Sequence, residues 1–73
     1  MFSKISFAAN LRELLKHHQM SQRQLAMHIH VTPQAMTQFV NAQNLPSIET
    51  MIAIADVFDI SMDDLVCRLW PKV

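Results

Sequence analysis

The chain has 73 residues, 51% apolar and 16% charged, with six basic side chains balanced by six acidic ones. That length suits one domain, expected over residues 1–73, and a chain so short buries only about 60% of the surface its unfolded form exposes. The apolar content excludes a disordered tail, the zero net charge argues against a general polycation, and the absence of glycine disfavours tight hairpins and glycine-rich phosphate loops.

Five helices are predicted from start signals and 3.6-residue periodicity, an all-α fold. The first runs from about Phe7 to His18 behind Ser6 as N-cap. Phe7, Leu11, Leu14 and His18 form its apolar stripe with Leu15 beside it, while Asn10, Arg12, Glu13 and Lys16 face solvent. The second opens at Ser21, with Gln24 three residues on as a capping box, and buries Leu25, Ala26 and Ile29. The third has Thr32 as N-cap and Pro33 at its first position, and it runs to about Asn41. Asn44-Leu45-Pro46 breaks the chain, and Ser47 then caps a fourth helix from Ile48 to about Phe58. Its apolar face comprises Ile48, Met51, Ile52, Ala55 and Phe58. Ser61 with Asp64 opens a fifth helix, Met62 to about Leu69, which Pro71 ends.

Only His30, Val31 and Thr32 separate the second and third helices. Two short helices joined by such a turn make a helix-turn-helix, here about residues 21–41, whose second helix can enter a DNA major groove. Gln34, Thr37, Gln38 and Asn41 are spaced i, i+3, i+4, i+7, one polar stripe without a charge, while Met36, Phe39 and Val40 lie opposite. Solvated faces usually carry Lys and Glu. Amides can instead bond the N6 and N7 edge of adenine, and a threonine methyl can touch that of thymine. On this helix alone, a neutral surface and a base-reading surface are equally good readings.

The stretch Met20 to Leu65 resembles the Cro- and lambda-repressor-type helix-turn-helix family. The matching residues are Ser21-Gln22, Leu25-Ala26, Val31-Thr32 and Met36, then Phe39, Leu45-Pro46-Ser47, Glu49-Thr50, Ala55, Ile60-Ser61 and Asp64-Leu65. The resemblance implies a five-helix lambda-repressor-like domain that binds double-stranded DNA. It places Gln34, Thr37 and Gln38 at base-reading positions, and Gln22, Arg23, Thr32, Asn41, Gln43 and Asn44 at the DNA backbone. The chain departs from the family at three positions where glycine, a similar residue or, near the last, asparagine is usual. His30 stands in the turn, Ala42 follows the third helix, and Asp59 follows the fourth.

The neutral total hides a dipolar chain. Residues 1–30 carry Lys4, Arg12, Lys16 and Arg23 against Glu13, a net +3, and residues 31–73 carry a net −3. This permits DNA binding with weak nonspecific affinity. The histidines His17, His18, His28 and His30 lack ligand spacing, so no metal or cofactor is expected. Cys67 lies among Leu65, Val66 and Leu69 with no base beside it, which suits a buried or interfacial thiol. Met20, Met36, Met51 and Met62 fall at core or near-core positions.

One cysteine allows no internal disulfide, Met1 to Asn10 lack the apolar run of about 7–15 residues that a signal peptide needs, and the run Met51 to Ala55 cannot span a membrane. A cytoplasmic protein with no membrane association is expected. The apolar end of the chain, within residues 62–73, either folds Trp70 back onto the core or forms a dimer interface from Leu65, Val66, Leu69 and Trp70. Members of the family commonly dimerise near this helix, which favours the interface. The expected function is therefore a non-enzymatic, sequence-specific transcriptional repressor or controller, a homodimer on a two-fold-related operator. The alternative is an antitoxin-like module that neutralises a protein partner, such as a toxin or another regulator, and binds its own promoter secondarily.

Overall fold

Hydroxyl side chains begin the helices. Ser3, Ser21, Thr32, Ser47 and Ser61 each accept a hydrogen bond from the backbone N–H three residues on, at 3.0–3.2 Å. The structure, a computed structural model, describes residues 3–66, with Val66 described by its backbone alone. The helices are α1 (Lys4–His17), α2 (Gln22–Ile29), α3 (Pro33–Val40), α4 (Ile48–Phe58) and α5 (Met62–Val66), with no strand among the described residues. The expected continuation of α5 to Leu69, together with Cys67, Leu69 and Trp70, lies outside them.

Helix ends follow one plan. Gln19, His30, Ala42 and Asp59 all have left-handed backbone, with φ of 54°, 60°, 60° and 55°. After each of them the next N–H donates across the turn to the carbonyl five residues back. The pairs are Met20 to Leu15, Val31 to Ala26, Gln43 to Gln38 and Ile60 to Ala55, at 2.9–3.0 Å. This is the Schellman arrangement, which normally uses glycine at the left-handed position. Met20, Val31 and Ile60 then pack against the core, supplying the apolar contact that accompanies the motif.

The core gathers Phe7, Leu11, Leu14 and Leu15 of α1, Leu25, Ala26 and Ile29 of α2, and Met36, Phe39 and Val40 of α3. Met51, Ile54, Ala55 and Phe58 of α4 and Leu65 of α5 complete it. α1 packs on α3 and α5, and α2 packs on α3 and α4.

The structure departs from several of these expectations. α1 begins one turn before Ser6, because Ser3 accepts from the Ser6 N–H and so takes the capping role. Asn10 is 1% exposed, not solvent-facing. It sits at i+3 from Phe7 on the stripe that continues to Leu11 and Leu14, and its Nδ2 donates to the Leu65 carbonyl at 2.9 Å. On α4 the buried stripe is Met51, Ile54, Ala55 and Phe58, whereas Ile48 and Ile52 are 72% and 46% exposed. Met51, Ala55 and Phe58 already fill the face toward α2 and α5, so Ile54 completes the i, i+3, i+4, i+7 set. At the end of the α1 stripe, His18 is exposed, with its ring 4.9 Å from that of Phe58.

Candidate nucleic-acid interface

The two faces of α3 are unlike. Met36 is fully buried, and Phe39 and Val40 are nearly so. Gln34, Thr37 and Asn41 are exposed, and Gln38 is half-buried. Pro33 occupies the start of the helix, where its missing N–H costs nothing, and the Thr32 hydroxyl accepts from the Ala35 N–H at 3.1 Å. The entry to α3 is therefore set locally. His30 sets the turn before it: its left-handed backbone reverses the chain within the three residues between α2 and α3.

The far end of α3 is held by a residue distant in sequence. The Arg12 guanidinium, from α1, donates to the Val40 carbonyl, one of the carbonyls that a helix end leaves unpaired. Its charge also suits the negative end of the helix dipole. Arg12 therefore does more than face solvent: it ties α1 to the C-terminal end of α3.

Each polar side chain of the stripe has a defined hydrogen-bonding capacity. The Thr37 hydroxyl donates to the Pro33 carbonyl at 3.0 Å, and the side chain stays exposed. Asn44 Nδ2 donates to Gln38 Oε1 at 3.1 Å, joining the helix to the loop that follows it. Gln34 stands on the first turn of α3 and is exposed. Such a surface offers donors, acceptors and a methyl group without net charge, the inventory by which base edges are read.

The residues expected at the DNA backbone are all exposed. Gln22 and Arg23 open α2 behind the Ser21 capping box, where unpaired N–H groups favour an anion. Thr32 and Asn41 cap the two ends of α3, and Gln43 and Asn44 lie just beyond. Leu65 is different. It was expected at a dimer interface, but it is 0% exposed and sealed in the core of its own chain. Its side chain has no free surface for a partner, and Leu69 and Trp70 lie outside the described residues.

Sequence reasoning missed Asn10 and Arg12, the two α1 side chains that secure α5 and α3. Periodicity places Asn10 on the buried face, and only its polarity suggests otherwise. No local signal points Arg12 at Val40, because the bond spans 28 residues. Among the described residues no group of three or more His, Cys, Asp or Glu side chains could hold a metal ion, and no helix is long and apolar enough to cross a membrane.

Residues 11–65 match the family model described as Helix-turn-helix. Among solved structures, the chain is similar to the SOS-response transcriptional repressor LexA from Eubacterium rectale, with a TM-score of 0.88 and 25% identity over 97% of this chain and 76% of that one. It is also similar to a transcriptional regulator from Listeria innocua, with a TM-score of 0.78 and 30% identity, covering 90% of this chain and 64% of the other. The restriction-modification controller protein C.AhdI from Aeromonas hydrophila shares the fold, with a TM-score of 0.79 at 24% identity over 85% of this chain and 94% of that one. No curated protein matched significantly.

Proposed function

The chain belongs to the helix-turn-helix family of DNA-binding transcriptional regulators, and from that premise we propose that it binds duplex DNA sequence-specifically as a homodimer on a two-fold-related operator. The observation that carries this reading is the division of α3 into a face sealed in the core and an uncharged face on which Gln34 and Thr37 are exposed and Gln38 half-buried. With α3 in the major groove, these three side chains meet base edges. Gln22, Arg23, Thr32, Asn41 and Gln43 contact the sugar-phosphate backbone and fix position without carrying sequence information, while Asn44, also expected there, bonds Gln38.

The protein acts without catalysis, in the cytoplasm, as a repressor or controller. The second copy is held through the apolar C-terminal sequence, with Leu69 and Trp70 in place of the buried Leu65.

Selection of bound sites from random duplexes tests the reading. The expected result is a two-fold-related motif whose half-sites lie about one helical turn apart, ~10–10.5 base pairs centre to centre. Enrichment of no motif would contradict DNA recognition, and enrichment of one unpaired half-site would contradict the dimer.

A further inference from the structure

Two amides sit side by side where the described residues leave α3. Gln38 lies in its last turn and is half-buried. The left-handed Ala42 folds the chain back, so that the Gln43 N–H reaches the Gln38 carbonyl at 2.9 Å. That turn brings Asn44 beside the Gln38 side chain, and Asn44 Nδ2 donates to Gln38 Oε1 at 3.1 Å. The carboxamide oxygen of Gln38 is thereby turned toward the protein's own loop.

We propose that Asn44 is a positioning residue that orients Gln38 so that its amide NH2 faces the DNA and selects guanine. The proposal rests on the reading of α3 as the base-contacting helix. A free glutamine amide offers one acceptor and one donor side, the match for adenine N6 and N7. An amide whose oxygen is engaged elsewhere offers its two N–H groups, which match the O6 and N7 acceptors of guanine. Against adenine, the same amide sets donor against donor at N6. Asn44 thus shapes specificity through Gln38, a role distinct from holding a phosphate.

The test measures wild type, Asn44→Ala, Asn44→Asp, Gln38→Ala and the double Gln38→Ala/Asn44→Ala variant against duplexes carrying each base pair at every operator position. The Gln38 position is the one at which Gln38→Ala loses discrimination. Wild type should prefer guanine to adenine there by about tenfold, the scale of a direct base contact. Asn44→Ala frees the amide and should cut that preference to about threefold or less, with other positions unchanged. Asn44→Asp has no donor, so it accepts from the Gln38 NH2, turns the oxygen outward and moves the preference toward adenine or cytosine. In the Gln38→Ala background, Asn44→Ala should add nothing, and melting temperatures should not change.

A wild-type preference for adenine at the Gln38 position would overturn the proposed orientation. So would an Asn44→Ala loss that is equal for all base pairs and persists in the Gln38→Ala background, since that is the signature of a phosphate contact. A wild type indifferent to sequence at every position would overturn DNA recognition itself, and this proposal with it.

Discussion

Left-handed backbone at Gln19, His30, Ala42 and Asp59 is costly for residues bearing a Cβ, about 1–2 kcal/mol each and less for Asp. The chain meets the cost by bonding across each turn, and at three of the four it also buries the following apolar side chain. Ala42 is followed by the exposed Gln43, so its turn lacks that apolar support. Ala42→Gly removes the Cβ at a position where glycine is at ease, and the more flexible unfolded chain offsets part of the gain. The expected net effect is a stabilisation of ~0.5–1 kcal/mol, or a melting temperature higher by about 2–8 °C. An unchanged or lower melting temperature would mean that residue 42 does not hold this conformation. Three of these positions can be found in the sequence, because the family resemblance implies glycine at His30 and Ala42 and glycine or asparagine near Asp59. Gln19 carries no such mark, and only the short step from the α1 stripe to the Ser21 cap hints at its turn.

At the scale of elements, caps and apolar periodicity place the starts of α2 to α5, because Ser21, Thr32, Ser47 and Ser61 each precede an amphipathic run, while α1 opens at Ser3 and not Ser6. What sequence does not show is how polar side chains fasten one helix to another. Asn10 reads as a surface residue by its chemistry and as a core residue by its spacing, and the structure follows the spacing. Its bond to the Leu65 carbonyl holds the short α5 against α1. Asn10→Ala should destabilise the protein by about 1–3 kcal/mol in denaturant unfolding, the cost of stranding a buried polar partner. A midpoint unchanged from wild type would show that the Leu65 carbonyl finds another donor. Arg12 is harder to foresee, since its target comes from folding and not from neighbouring sequence. The pairing of Gln38 with Asn44 is likewise invisible until the turn at Ala42 is known. That Gln34, Thr37 and Asn41 stand on an exposed face was therefore readable from the sequence, but not the bonds made by Gln38 and Arg12.

Across the whole molecule, charge and surface chemistry give separate expectations. The basic excess of residues 1–30 rests on few side chains, and Arg12 among them is bonded to α3. Amides and backbone N–H groups release no counterion when they meet a phosphate. Affinity should consequently fall gently with salt, with a slope of log K against log salt of about −3 to −5 per dimer, from ~0.9 for each neutralised phosphate. A slope near −10 would require about eleven neutralised phosphates per dimer, nearly every Lys and Arg of both copies, and would contradict this reading.

If the exposed face of α3 reads bases, Gln34 is its cleanest probe. It is exposed, lies on the first turn behind Pro33, and contributes nothing to the core. Gln34→Ala should leave the melting temperature unchanged or slightly higher, since alanine is the better helix former. Measured on the selected operator and its point variants, the substitution should cost ~1–3 kcal/mol of binding and relax the preference at one position in each half-site. Equal affinity of wild type and Gln34→Ala for every one of those duplexes would contradict base reading by α3.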